Sequence, residues 1–127
     1  MQPKHAQQEE EADLEAETLA REIVDLVAGK LAEDVLLLDV RPISSVTDYF
    51  VICSAGSERQ IGAIHDEVLT KLREGGLRAL HSEGTPGSGW ILMDYGSVVL
   101  HIFTPTVRRY YDLEELWREA RTVVRML

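Results

Sequence analysis

The residues able to do chemistry are few, and their spacing limits what that chemistry can be. His5, His65, His81 and His101 are scattered along the chain, and none stands in HExxH or another metal-ligand spacing. Cys53 is the only cysteine, so the chain can form neither an internal disulfide nor a cysteine zinc cluster. It lies within YFVICSA, where a small buried core residue is the natural reading. Ala55-Gly56-Ser57-Glu58-Arg59 follows an apolar run, and free N–H groups there could hold a phosphate. Yet it matches neither GxxxxGK(S/T) nor GxGxxG. Ser57 and Gln60 have the spacing of a capping box, which explains the motif without a ligand. The stretch GSGWILMDYGSVVLHIF, from Gly87 to Phe103, is the remaining candidate. It places Trp90, Asp94 and His101 on what reads as a β-hairpin.

A two-residue turn at Tyr95-Gly96 would pair Asp94 with Ser97, Leu92 with Val99 and Trp90 with His101. One face then carries Trp90, Leu92, Asp94, Ser97, Val99, His101 and Phe103. The other carries Ile91, Met93, Val98, Leu100 and Ile102, an aliphatic set suited to a core. The mixed face has two readings. It lies under a helix with Trp90 and Phe103 buried, or it stands open as an aromatic anchor for a partner.

The elements that position this hairpin follow from periodicity. Residues 1–10 read as a disordered acidic tail, and residues 11–127 as one domain. Leu19, Ile23, Leu26 and Val27 form the stripe of a first helix that stops near Gly29. VLLLDV (Val35 to Val40) and YFVICSA (Tyr49 to Ala55) read as buried strands joined by RPISSVTD. A second helix after Ser57 carries Ile61, Ile64, Val68, Leu69 and Leu72 and ends at Gly75-Gly76. LRALHS (Leu77 to Ser82) reads as a third strand, and the unit from Tyr49 to Ser82 as a right-handed parallel crossover. SEGTPGSG is a loop before the hairpin. Asp112 and Glu115 can cap a last helix bearing Leu113, Leu116, Trp117, Ala120 and Val124. The order α-β-β-α-β-β-β-α predicts an α/β domain, a small mixed sheet of about five strands flanked by helices. The closing VVRML packs on that sheet or contacts a second subunit.

Charge narrows the partners. The chain of 127 residues carries a net charge of −9, of which residues 1–17 hold −5 and the rest −4. Without an excess of lysine and arginine, direct nucleic-acid binding is not expected. A basic protein partner fits, and so does plain solubility. No apolar run approaches a membrane span, and the acidic amino end is neither a signal nor a transit peptide. A cytoplasmic location is the expectation.

Several motifs in fixed order resemble the ribosomal silencing factor family, also called Iojap. They are TDYFVICSAGSERQIGAIHDEV (Thr47 to Val68), Glu83-Gly84, GWILMDYGSVVLHIF and RRYYDLEELW (Arg108 to Trp117), within a resemblance spanning about Leu14 to Trp117. The resemblance implies a fold related to the nucleotidyltransferases but without their catalytic carboxylates. The Gly56-Ser57 turn is similar to the opening motif of those enzymes. They need paired carboxylates to hold magnesium, and no DxD occurs in this chain. The resemblance further implies a translational repressor, not an enzyme and without a cofactor. Such a protein binds the large ribosomal subunit through ribosomal protein L14 and blocks joining of the small subunit under nutrient limitation. It is implied to be a homodimer when free. Trp90 and the strands bearing Asp94, Tyr95 and His101 correspond to the family's ribosome-facing region, which favours the open reading of the hairpin face. Trp90 is then the expected anchor, with Leu92 and His101 beside it and Asp94 or Glu83 meeting basic partner residues. Ser97 departs from the family's aspartate after the turn glycine and removes one negative charge there. The rival expectation is a degenerate nucleotidyltransferase using the Gly56-Ser57 turn to bind nucleotide.

Overall fold

The computed structural model describes residues 4–127, apart from the side chains of residues 4–7, 9 and 13. Helix α1 (Lys4–Gly29) begins well before the helix expected from the apolar stripe. Glutamate, glutamine and alanine are good helix formers, and they let the helix extend through most of the expected tail. Residues 1–3 of that tail lie outside the described residues. Ala16, Ala20, Ile23 and Val27 recur at helical spacing and are buried, while Leu19 and Leu26 flank them half-buried. The helix ends at Gly29, as its sequence predicts.

Strands β1 (Glu33–Asp39) and β2 (Tyr49–Ser54) pair antiparallel, with a bulge between Glu33 and Leu36 where Asp34 takes φ 46°. Helix α2 (Glu58–Glu74) starts as its cap motif predicts: Ser57 Oγ accepts from Gln60 N at 3.1 Å. Ile61, Ile64, Val68 and Leu72 of α2 are buried together with the α1 stripe. Each such aliphatic side chain withdrawn from water contributes about 1.5–3 kcal/mol.

Strands β3 (His81–Thr85), β4 (Trp90–Asp94) and β5 (Val98–Phe103) complete a meander, with a short 3₁₀ turn at Pro86–Ser88. The sheet order is β3-β4-β5-β2-β1-β6, six strands instead of about five. Only β2 and β5 pair in parallel. The segment from β2 through α2 does reach a strand running parallel to β2. That strand lies three places away, because β4 and β5 return to fill the gap.

The third strand sits later than Leu77 to Ser82, because pairing with β4 selects His81–Thr85. It takes over the first residues of the expected SEGTPGSG loop. The carboxy-terminal helix expected from Asp112 is replaced by the single turn α4 (Leu113–Leu116) and strand β6 (Arg121–Met126) along the edge of β1, and a further short helix, α3 (Pro105–Tyr111), precedes them. Thr122-Val123-Val124 is β-branched and favours a strand, and the open edge of β1 rewards it with backbone hydrogen bonds. Val123 to Met126 of the closing VVRML join the sheet as part of β6, paired with β1.

The sheet therefore has unlike faces. One is sealed by α1 and α2 over Val51, Cys53, Met93, Leu100 and Ile102. The other carries Leu36, Leu38, Phe50, Ile52, Val99 and Phe103 and is covered only by the short segment that includes Val107, Leu113 and Trp117.

Candidate functional site

The hairpin puts Trp90 on the thinly covered face. Its turn is Gly96-Ser97, closed by Tyr95 N donating to Val98 O at 2.9 Å, with Gly96 at φ 86°. A glycine with positive φ at the first central position is what a primed two-residue turn requires. Moving the turn by one residue shifts the register by two, so Trp90 pairs with Phe103 and Leu92 with His101. An even shift keeps every side chain on its predicted face.

The Trp90 indole stacks on Phe103 with centroids 4.9 Å apart, and Tyr111 of α3 closes over it at 4.6 Å. Its Nε1–H donates to His101 Nδ1 at 3.2 Å. Burial pushes His101 down to about 4, so the ring is neutral near pH 7 and Nδ1 keeps its acceptor lone pair. The ring proton must then sit on Nε2, which is buried without a hydrogen-bond partner. Phe50 meets the same imidazole in a T-shaped contact at 5.0 Å and Trp117 in another at 4.9 Å, completing an aromatic cluster across β2, β4, β5 and the segment after α4.

A cleft of about 200 Å³ opens beside this cluster, lined by Glu83, Gly84, Ser88, Trp90, Leu92 and Tyr111. Strand pairing brings its walls together, with Glu83 opposite Leu92 and Thr85 opposite Trp90. Gly84 is required there: it holds φ 88°, and a Cβ would overlap the Trp90 carbonyl oxygen. Ser88 Oγ lies 2.7 Å from Thr85 O and 2.9 Å from Trp90 O, bracing the loop that leads into β4. At the rim, Glu83 Oε1 is 2.6 Å from His81 Nε2, and both side chains are exposed.

The six residues singled out from sequence thus divide by position. Glu83, Trp90 and Leu92 line the cleft. Asp94 accepts from Gly96 N at 2.7 Å and pins the turn. Tyr95 is buried against the opposite, helix-covered face, and His101 lies buried beneath Trp90. The hairpin face is therefore neither fully buried nor fully open: Phe103 and His101 are covered while Trp90 is half-exposed. Tyr111 is the cleft residue the sequence reasoning missed. Thr104-Pro105 signals its helix, since Thr104 Oγ1 caps Val107 N and Pro105 takes the first helical position.

In two other regions the chain's own side chains take up much of the polar bonding. At the Gly56-Ser57 turn, Gly56 N donates to Gln60 Oε1 at 2.7 Å, and Gln60 Nε2 donates to Leu31 O at 2.9 Å. The glutamine spans the gap to α1, where a nucleotide phosphate would need free donors. Beyond the carboxyl end of β2, the buried Arg108 donates to Asp34 O at 2.7 Å and Ser54 Oγ at 2.9 Å, and binds Glu114. No cluster of metal-ligating side chains exists among the described residues.

These features define a small α/β domain with a mixed six-stranded sheet and an aromatic cleft on the face away from its two long helices. Residues 13–126 match the family described as "Ribosomal silencing factor during starvation", and the chain belongs to that family. It is 44% identical over 91 residues to the ribosomal silencing factor of Bacillus subtilis, covering 72% of this chain and 77% of that one. It is 33% identical over 98 residues to "Mitochondrial assembly of ribosomal large subunit protein 1" of the mouse, covering 75% of this chain and 43% of that protein. A crystal structure from Chromobacterium violaceum superposes with a TM-score of 0.73 at 34% identity, covering 83% of this chain and 85% of that one. No described helix is long and apolar enough to cross a membrane.

Proposed function

We propose that this protein is a translational regulator, not an enzyme, that docks on the large ribosomal subunit through ribosomal protein L14 and so blocks joining of the small subunit. The observation that carries the reading is the Trp90 cleft. A half-exposed indole, held in place by Phe103, Tyr111 and His101, stands beside the Glu83 carboxylate on the thinly covered sheet face. A rigid aromatic anchor beside an acidic rim suits a basic protein surface, and docking of this kind needs no catalytic step. The names of the bacterial relatives support a ribosomal partner, and the name of the mouse relative supports one on the large subunit. The protein is a homodimer before it docks and acts in the cytoplasm.

The test is a joining assay. Purified large and small subunits are mixed with increasing protein and separated on sucrose gradients. Loss of joined ribosomes in proportion to protein bound to large subunits supports the reading. Undiminished joining with the large subunits fully occupied removes the blocking step from it.

A further inference from the structure

The Trp90 cleft does not end at Tyr111. The same side chain also lines a larger groove of about 740 Å³, whose apolar floor is Ile43, Leu116 and Trp117. Tyr111 and Leu116 are 50% and 72% exposed, and Ile43 is 40% exposed, so the groove presents apolar side chains to solvent side by side. Trp117 anchors the groove by its edge contact with Phe50. Around the rim stand Asp112, Glu115 and Glu119, against Arg118 alone. Arg118 Nη1 is 2.9 Å from Glu115 Oε1, so that pair is internally balanced. Asp112 and Glu119 are left to set the sign of the surface.

We infer that this groove is a second docking compartment, continuous with the Trp90 cleft, for a basic protein segment that inserts an apolar side chain between Ile43 and Leu116. The inference rests on the reading of the Trp90 cleft as the docking face and extends it into α4, past the aromatic divider of Tyr111. Two features choose the occupant. The apolar floor needs a side chain able to displace water from it. The rim carboxylates attract ammonium and guanidinium groups and repel phosphate, which selects a basic protein over an RNA strand. Two compartments joined by one aromatic residue also give a two-point contact, which fixes the orientation of the docked protein as a single anchor would not.

The test is co-sedimentation of the full-length protein with purified large subunits, comparing wild type, Trp90→Ala, Leu116→Ser and Glu119→Lys. Leu116 and Glu119 are exposed, so the last two variants should melt like wild type, which thermal unfolding verifies. The expected result is a loss of affinity of about tenfold for each of them, with the Glu119→Lys effect shrinking at high salt. Wild-type affinity in both, with binding lost in Trp90→Ala, overturns the second compartment and leaves the cleft reading standing. Tighter binding by Glu119→Lys places phosphate against the rim and overturns the choice of a protein segment. Failure of the wild type to pellet removes the cleft reading, and this inference with it.

Discussion

Trp90 and His101 are diagonal neighbours in the β4–β5 hairpin, yet the indole Nε1–H of one donates to Nδ1 of the other at 3.2 Å. The bond needs a neutral imidazole, and burial keeps it neutral by pushing His101 down to about 4. The orientation of the half-buried indole is thereby tied to the protonation of a fully buried imidazole.

That tie predicts a pH dependence of stability. His101 is harder to protonate in the folded state than in the unfolded chain, where the ordinary value is 6.5. Between about pH 6.5 and 4 the unfolded state binds the extra proton, so stability falls as pH falls through this window. Above 6.5 both states are neutral and the contribution is flat. The total loss is roughly 3 kcal/mol. Urea midpoints measured from pH 7 to pH 4.5 should decline more steeply in wild type than in His101→Gln. Equal slopes would detach the histidine from the effect.

Arg108 predicts a different kind of loss. Its guanidinium is almost fully buried and joins α3 to the bulge of β1, the end of β2 and Glu114. Arg108→Ala leaves Asp34 O and the buried Ser54 Oγ without their donor and should cost about 2–3 kcal/mol in urea unfolding. Tyr111 is carried on the same short helix, so the indole fluorescence of Trp90 should shift as well. A loss below 1 kcal/mol with unchanged fluorescence would mean that α3 is held by its apolar contacts alone.

Gly84→Ala tests the backbone of the cleft. Its left-handed φ and the overlap of an added Cβ with Trp90 O force β3 away from β4. Thermal melting should drop by several degrees, and large-subunit binding should weaken together with it. Gly29→Ala meets no atom within 4 Å and serves as the neutral control. If Gly84→Ala melts and binds like this control, the close approach of the strands is not needed.

Nucleotide is predicted to do nothing. Gln60 occupies Gly56 N and ties the turn to Leu31 O, so ATP with magnesium at millimolar concentration should leave the melting temperature unchanged. A rise of a few degrees would revive the degenerate nucleotidyltransferase.

Much of this was legible in the sequence where two signals agreed. The hairpin's alternation separates an aliphatic from a mixed face, and that division survives because the register shift is even. In α2, the Ser57 cap and the Ile61, Ile64, Val68 and Leu72 stripe point to one helix, and one helix forms. The carboxy-terminal third reads poorly for a physical reason. Leu113, Trp117, Ala120 and Val124 fit a helical stripe, but the β-branched run at Thr122–Val124 meets an unpaired edge of β1 and becomes a strand. Pattern along the chain cannot show that edge. Tyr111 was overlooked because α3 has only seven residues, too few for periodicity to reveal. Of the site itself, Glu83, Trp90 and Leu92 line the cleft, while Asp94, Tyr95 and His101 serve the turn, the core and the indole.

The central claim is that the Trp90 face docks on the large subunit, and co-sedimentation of wild type beside Trp90→Ala tests it most directly. Trp90→Phe is the packing control, and all three proteins are checked for cooperative melting. Wild type should pellet with large subunits at micromolar concentration and low salt, with Trp90→Ala at least tenfold weaker and Trp90→Phe between them. Equal pelleting by folded Trp90→Ala and wild type would contradict the claim.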